Sequence, residues 1–160
     1  MATSKLLQVV SCALIVTACV HAQVGSKTES NWKFLTTAED HGLEYQTYYD
    51  LKSVKRSANI VAVWIKQLSV FKNDEQKQRL IKSITENRKL NKIDTKGYEK
   101  YSFSKTLIEI DCDDRSGRKV AIKDFDDGGA LLGEDAIAGV PFAPIRDGSL
   151  AGLLFEALCR

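Results

Sequence analysis

Asn59-Ile60-Val61-Ala62-Val63-Trp64-Ile65-Lys66-Gln67-Leu68-Ser69-Val70 is the most strand-like run in the chain, dense in β-branched and aromatic residues. It predicts a strand placed centrally in a sheet. The period changes just beyond it. Asn73 is an amino-cap candidate, Asp74 and Glu75 follow it, and Leu80, Ile81, Ile84 and Leu90 recur at helical spacing. That pattern predicts a surface helix near 73–92, inserted between two strands. Extended chain then resumes in Ser102–Cys112, with Phe103, Leu107 and Ile110 as its apolar points. Asp113-Asp114-Arg115-Ser116-Gly117 reads as a turn, Arg118–Phe125 as the returning strand, and Asp126-Asp127-Gly128-Gly129 as another turn before Ala130-Leu131-Leu132-Gly133.

Upstream, Trp32–Leu35 and Leu43–Asp50 flank the turn signal Asp40-His41-Gly42 and form a hairpin. Alternation sends Tyr45 and Tyr49 to one sheet face and Tyr48 to the other, so one set is core and the other is free for contact. Downstream, Asp147 or Ser149 caps a last helix, where Leu150, Leu153, Leu154, Ala157 and Leu158 make an apolar stripe. A sheet face is the surface available to receive that stripe. The fold class is therefore α+β: an antiparallel sheet of about six strands, a carboxy-terminal helix on one face, and the helical insertion.

The first residues read differently. Lys5 precedes an apolar stretch, Leu6–Ala18, of about 13 residues, short of the roughly 20 that span a membrane. Val20-His21-Ala22 then matches a small-residue cleavage pattern, so residues 1–22 are expected to be an export signal. A second reading stands beside it: Val16-Thr17-Ala18-Cys19 has the form of a lipobox, which would end the signal at residue 18 and lipidate Cys19. The outcome decides between a protein anchored at the outer membrane or cell surface and one free in the periplasm or medium. Residues 23–31 are polar and aperiodic and read as a flexible lead to a single domain over 32–160.

Charge excludes little globally. The chain has 23 Lys and Arg against 21 Asp and Glu, so no overall basic balance argues for nucleic acid. Locally, residues 72–92 carry seven basic and three acidic side chains. Lys77, Arg79, Lys82, Arg88, Lys89 and Lys92 are candidate partner-binding residues for an acidic protein face or an acidic polysaccharide, although helical spacing spreads them around the surface. Of four cysteines, Cys12 and Cys19 lie in the signal region. An oxidising compartment would pair Cys112 with Cys159.

Catalytic and metal constellations are sparse. His41 is the one histidine sure to remain after signal removal, and it sits in a turn. Asp111, Asp113, Asp114, Asp124, Asp126 and Asp127 cluster at two strand ends, yet the spacing matches a calcium loop poorly, and turn-forming aspartates account for them better. No phosphate loop, dinucleotide fingerprint or nucleophile elbow is present. No metal or cofactor is expected, and a non-catalytic protein is favoured over an unrecognised hydrolase.

The order Trp32, Tyr49-Asp50, Val63-Trp64-Ile65-Lys66, Ser104–Cys112, Phe125-Asp126-Asp127-Gly128-Gly129 and Ile145-Arg146-Asp147-Gly148-Ser149, closing on a helix that ends at Cys159, resembles the bacterial surface-adhesin protein E family. The resemblance spans about residues 31–160. It implies the sheet-and-helix fold, the Cys112–Cys159 disulfide, an envelope location, and adhesion to matrix proteins such as laminin and vitronectin, with dimers formed. Arg146 departs from the family pattern, which favours Pro there. An envelope structural or assembly factor with no host ligand is the alternative function.

Overall fold

The computed structural model describes residues 31–40 and 42–160. The readings made on residues 1–22, on Cys19, on the lead before Asn31 and on His41 lie outside these.

The first hairpin pairs β1 (Trp32–Asp40) with β2 (Leu43–Asp50). A short β3 (Lys55–Ser57) folds back on β4 (Ile60–Val70), the run that opened the reading. Helix α1 (Asp74–Leu90) follows, capped by Asn73, whose side chain accepts from the Gln76 backbone N–H. Then come β5 (Tyr101–Asp111), β6 (Ser116–Asp126), β7 (Leu131–Ala136) and the two-residue β8 (Ala143–Pro144). The chain ends in α2 (Leu150–Leu158), capped by Ser149. The order across the sheet is β1-β2-β4-β5-β6-β7, all antiparallel, with β3 added beside β4 and β8 beside β6. Thus β4 is central, and α1 is inserted between two neighbouring strands.

Both helices lie on the same sheet face. Val61, Val63 and Ile65 of β4 and Ile108 and Ile110 of β5 point toward α2, where Leu154 and Leu158 complete a core with Tyr49. Each such fully buried side chain contributes about 1.5–3 kcal/mol. The apolar stripe read from α2 therefore has its expected seat. Toward the other end of this face, Ile81 of α1 packs with Tyr98 and Tyr101 in a second cluster. The disulfide joins Cys112, just past β5, to Cys159, the carboxy-cap of α2, with Cα atoms 5.5 Å apart. Its closure lies 47 residues apart in sequence, which on chain entropy stabilises by about 4 kcal/mol. Arg56 adds a second tie, donating to the Leu158 carbonyl at 2.5 Å.

Candidate functional site: the open sheet face

The candidate cations on α1 do not form one surface. Arg79 and Lys82 are exposed, but each stands 3.9 Å from a carboxylate of its own helix, Glu75 and Glu86. Lys89 is exposed, Lys77 is half-buried, and Lys92 lies beyond the helix end with a left-handed backbone, φ 59°. Arg88 corrects the sequence reading. Its side chain points inward, 7% exposed, and its Nε and Nη2 donate to Asp124 Oδ2 at 2.9 and 2.6 Å. The guanidinium binds the sheet, not a partner.

Asp124 is corrected with it. Rather than forming a turn, it sits inside β6, 1% exposed, on the helix face. Tyr98 donates to its Oδ2 at 2.8 Å and Ser104 to its Oδ1 at 2.6 Å. A buried carboxylate needs this many donors to offset the lost water. The charge beside Arg88 has a matching effect: burial alone would depress the guanidinium, but Asp124 outweighs it and the pKa is raised. Asp111 and Asp126 behave as turn residues. Asp111 Oδ1 accepts from the backbone N–H of Asp113 and Asp114, and Asp126 Oδ1 from that of Ala130. Among the described residues no three His, Cys, Asp or Glu side chains group as metal ligands.

The face opposite the helices carries an arrangement that the sequence reading missed. Strand alternation turns Tyr48, Lys66, Lys105 and Lys123 to that side, away from the buried Tyr49, Ile65, Thr106 and Asp124. The register then places them in one line across the sheet. Tyr48 is opposite Lys66, Lys66 opposite Lys105, Lys105 opposite Lys123, and Lys123 opposite Glu134. Three lysines thus lie on three adjacent strands, whose spacing is roughly 4.7–4.9 Å. Like charges directly opposed in a sheet are destabilising.

Aromatic rings flank the row on both sides. Phe103 and Phe125 stack at 5.0 Å on one side, while Trp64 and Trp32 lie on the other. Each ammonium rests near ring faces. Lys66 is 5.1 Å from the Trp32 centroid, Lys105 is 5.3 Å from Trp32 and 4.8 Å from Phe125, and Lys123 is 5.5 Å from Trp64. Ring quadrupoles of this kind supply part of the stabilisation that like-charge repulsion removes. Lys66 is buried beneath the rings; Lys105 and Lys123 are half-exposed. Burial, and after it the neighbouring Lys66, hold the Lys105 ammonium below the ordinary lysine range, against the opposing pull of Asp50.

A hollow of about 280 Å³ opens within this lattice, lined by Trp32, Asp50, Trp64, Lys105, Lys123 and Phe125. Larger hollows of about 410 and 460 Å³ lie beside the start of α2 and beside α1, but neither combines paired lysines with indole rings. No helix among the described residues covers the lattice. The missed signal was present in the sequence as Trp64-Ile65-Lys66, Phe103-Ser104-Lys105 and Lys123-Asp124-Phe125, an aromatic and a lysine two residues apart on three strands.

A disulfide-tied α+β domain, one antiparallel sheet with both helices on one face and a lysine–aromatic lattice on the other, is the class these features define. The chain belongs to the surface-adhesin protein E family, whose model matches residues 32–160. Comparison with curated proteins and with solved structures finds no match. Family membership makes this a surface-adhesin-like protein, exported or at the cell surface.

Proposed function

We propose that the protein is a non-catalytic adhesion module that holds an extracellular or envelope macromolecule against its open sheet face. The observation that carries this reading is the register of Lys66, Lys105 and Lys123 between rows of rings, on the face that α1 and α2 leave bare. A repulsive row costs stability, and an anionic partner surface relieves it. Laminin and vitronectin, implied by the family resemblance, are the first probes. Lys105→Glu combined with Lys123→Glu should abolish capture on layers of either protein. Lys82→Glu combined with Lys89→Glu, on exposed turns of α1, should leave it unchanged. Capture that survives the sheet variant and fails with the α1 variant would move the contact surface to the helix.

Export through residues 1–22, with lipidation at Cys19 or cleavage after Ala22, belongs to the same reading. An intact mass of the protein from membrane and soluble fractions checks it: a chain still beginning at Met1 would refute export. The envelope-assembly alternative makes a contrary prediction, that crosslinking in intact cells finds the partners among the cell's own envelope components.

A further inference from the structure

We propose that the hollow lined by Trp32, Trp64, Phe125, Lys105, Lys123 and Asp50 binds one acidic sugar of an anionic polysaccharide. The inference rests on the open face being the contact surface and adds the chemistry of the ligand.

Size is the first support. A volume of about 280 Å³ is at the lower end of ligand pockets, suited to a single ring and too small for a folded epitope. Charge is the second. Lys105 and Lys123 are directly opposed across β5 and β6. Glu134 stands 3.0 Å from the Lys123 ammonium, which keeps further N–H donors, so one carboxylate or sulfate placed between the two lysines meets both. Lys66, one strand away, is 8% exposed and lies beneath the rings, so the acid contacts are those of Lys105 and Lys123.

The walls supply the third support. Indole and phenyl faces carry negative quadrupole density, which suits the electron-poor C–H faces of a sugar ring. Asp50 lines the same hollow, close enough to Lys105 to pull its pKa upward, and is an acceptor for sugar hydroxyls. An acidic peptide would use the lysines but has no hydroxyl-rich ring to set against Asp50 and the indoles. Single-stranded nucleic acid would offer its phosphates to the same lysines, and the oligothymidylate arm of the test separates it from a sugar acid.

The test is calorimetric titration of the whole protein with oligogalacturonates, their methyl esters and an oligothymidylate. The expected result is binding of the acid forms, the monomer included, that weakens with salt and is lost on esterification. Lys105→Met with Lys123→Met should weaken the trimer by about a hundredfold, roughly tenfold for each charge-assisted contact. Lys82→Glu with Lys89→Glu should leave it unchanged. In dimethyl-lysine NMR spectra the Lys105 signal should titrate at higher pH once the trimer is bound. Equal binding of the methyl ester, tighter binding of the oligothymidylate, or no binding of any acid form overturns the polysaccharide inference. If laminin or vitronectin capture still depends on Lys105 and Lys123, the contact-face reading stands even then. If neither depends on them, both fall.

Discussion

Asp124 shows how much one side chain decides. It receives Arg88 from α1, Tyr98 from the turn before β5 and Ser104 from β5, so three separate segments meet on one carboxylate. Tyr101 extends the chain of contacts through Ser104, with oxygens 2.8 Å apart. Its phenol is pushed up to about 12, chiefly by burial, and Tyr98 is raised further by burial and by the Asp124 carboxylate. Both folded pKa values lie above the unfolded value of 10.0, so the protonated phenols favour the native state. That contribution is complete below pH 10 and is lost as pH rises from 10 toward 12. An alkaline titration followed at the tyrosinate absorbance and by circular dichroism should show a late-ionising class that appears together with unfolding. Ionisation of all tyrosines near 10, with the fold intact, would refute the network's role. None of this was legible in the sequence. Asp124 reads as one of six aspartates near turns, and Arg88 as one of seven cations; only the packing of α1 onto β6 separates them from the rest.

At the scale of elements, local patterns were sufficient. The strand at 60–70, the helix opening after Asn73 and the helix capped by Ser149 stand where period and cap residues placed them. These signals are short-ranged, and each element contains its own. Helix α2 is only nine residues long, below the length at which helices persist alone. Its stability comes from Leu154 and Leu158 in the core and from the bond to Cys112. Replacing Cys159 with Ser should therefore lower unfolding stability by about 2–5 kcal/mol, read as a shifted urea midpoint under oxidising conditions. An unchanged midpoint would show that the disulfide adds nothing to what the apolar stripe already holds.

Among the described residues the sheet has a covered face and an open one, and this asymmetry depends on register, which no local window contains. Alternation alone separates Tyr48 from Tyr49. It does not reveal that Lys66, Lys105 and Lys123, far apart in sequence, fall on one line. That alignment is set by the ladder pairing of β4 with β5 and of β5 with β6. A row of like charges is an expense that the sheet as a whole bears, so removing one member should help the fold. Lys105→Met keeps the apolar stem against Phe125 and removes the charge. It should raise stability by about 0.2–1 kcal/mol, measured as a higher melting temperature at low salt, with the gain shrinking as salt is added. A loss of stability would mean that the ring contacts outweigh the repulsion.

Trp32 is both the first residue of β1 and a wall of the hollow, within 5.3 Å of Lys105. Tension reaching the domain from the chain before Trp32 and tension from a ligand held at Lys105 would therefore meet across a single side chain. Between those two points of load lie only β1, β2 and β4, joined edge to edge to β5. The disulfide stands outside that line, whereas Tyr49 of β2 and Val61, Val63 and Ile65 of β4 carry the core along it. A grip built this way loads its first hairpin and the strands that floor the core before it loads the crosslink.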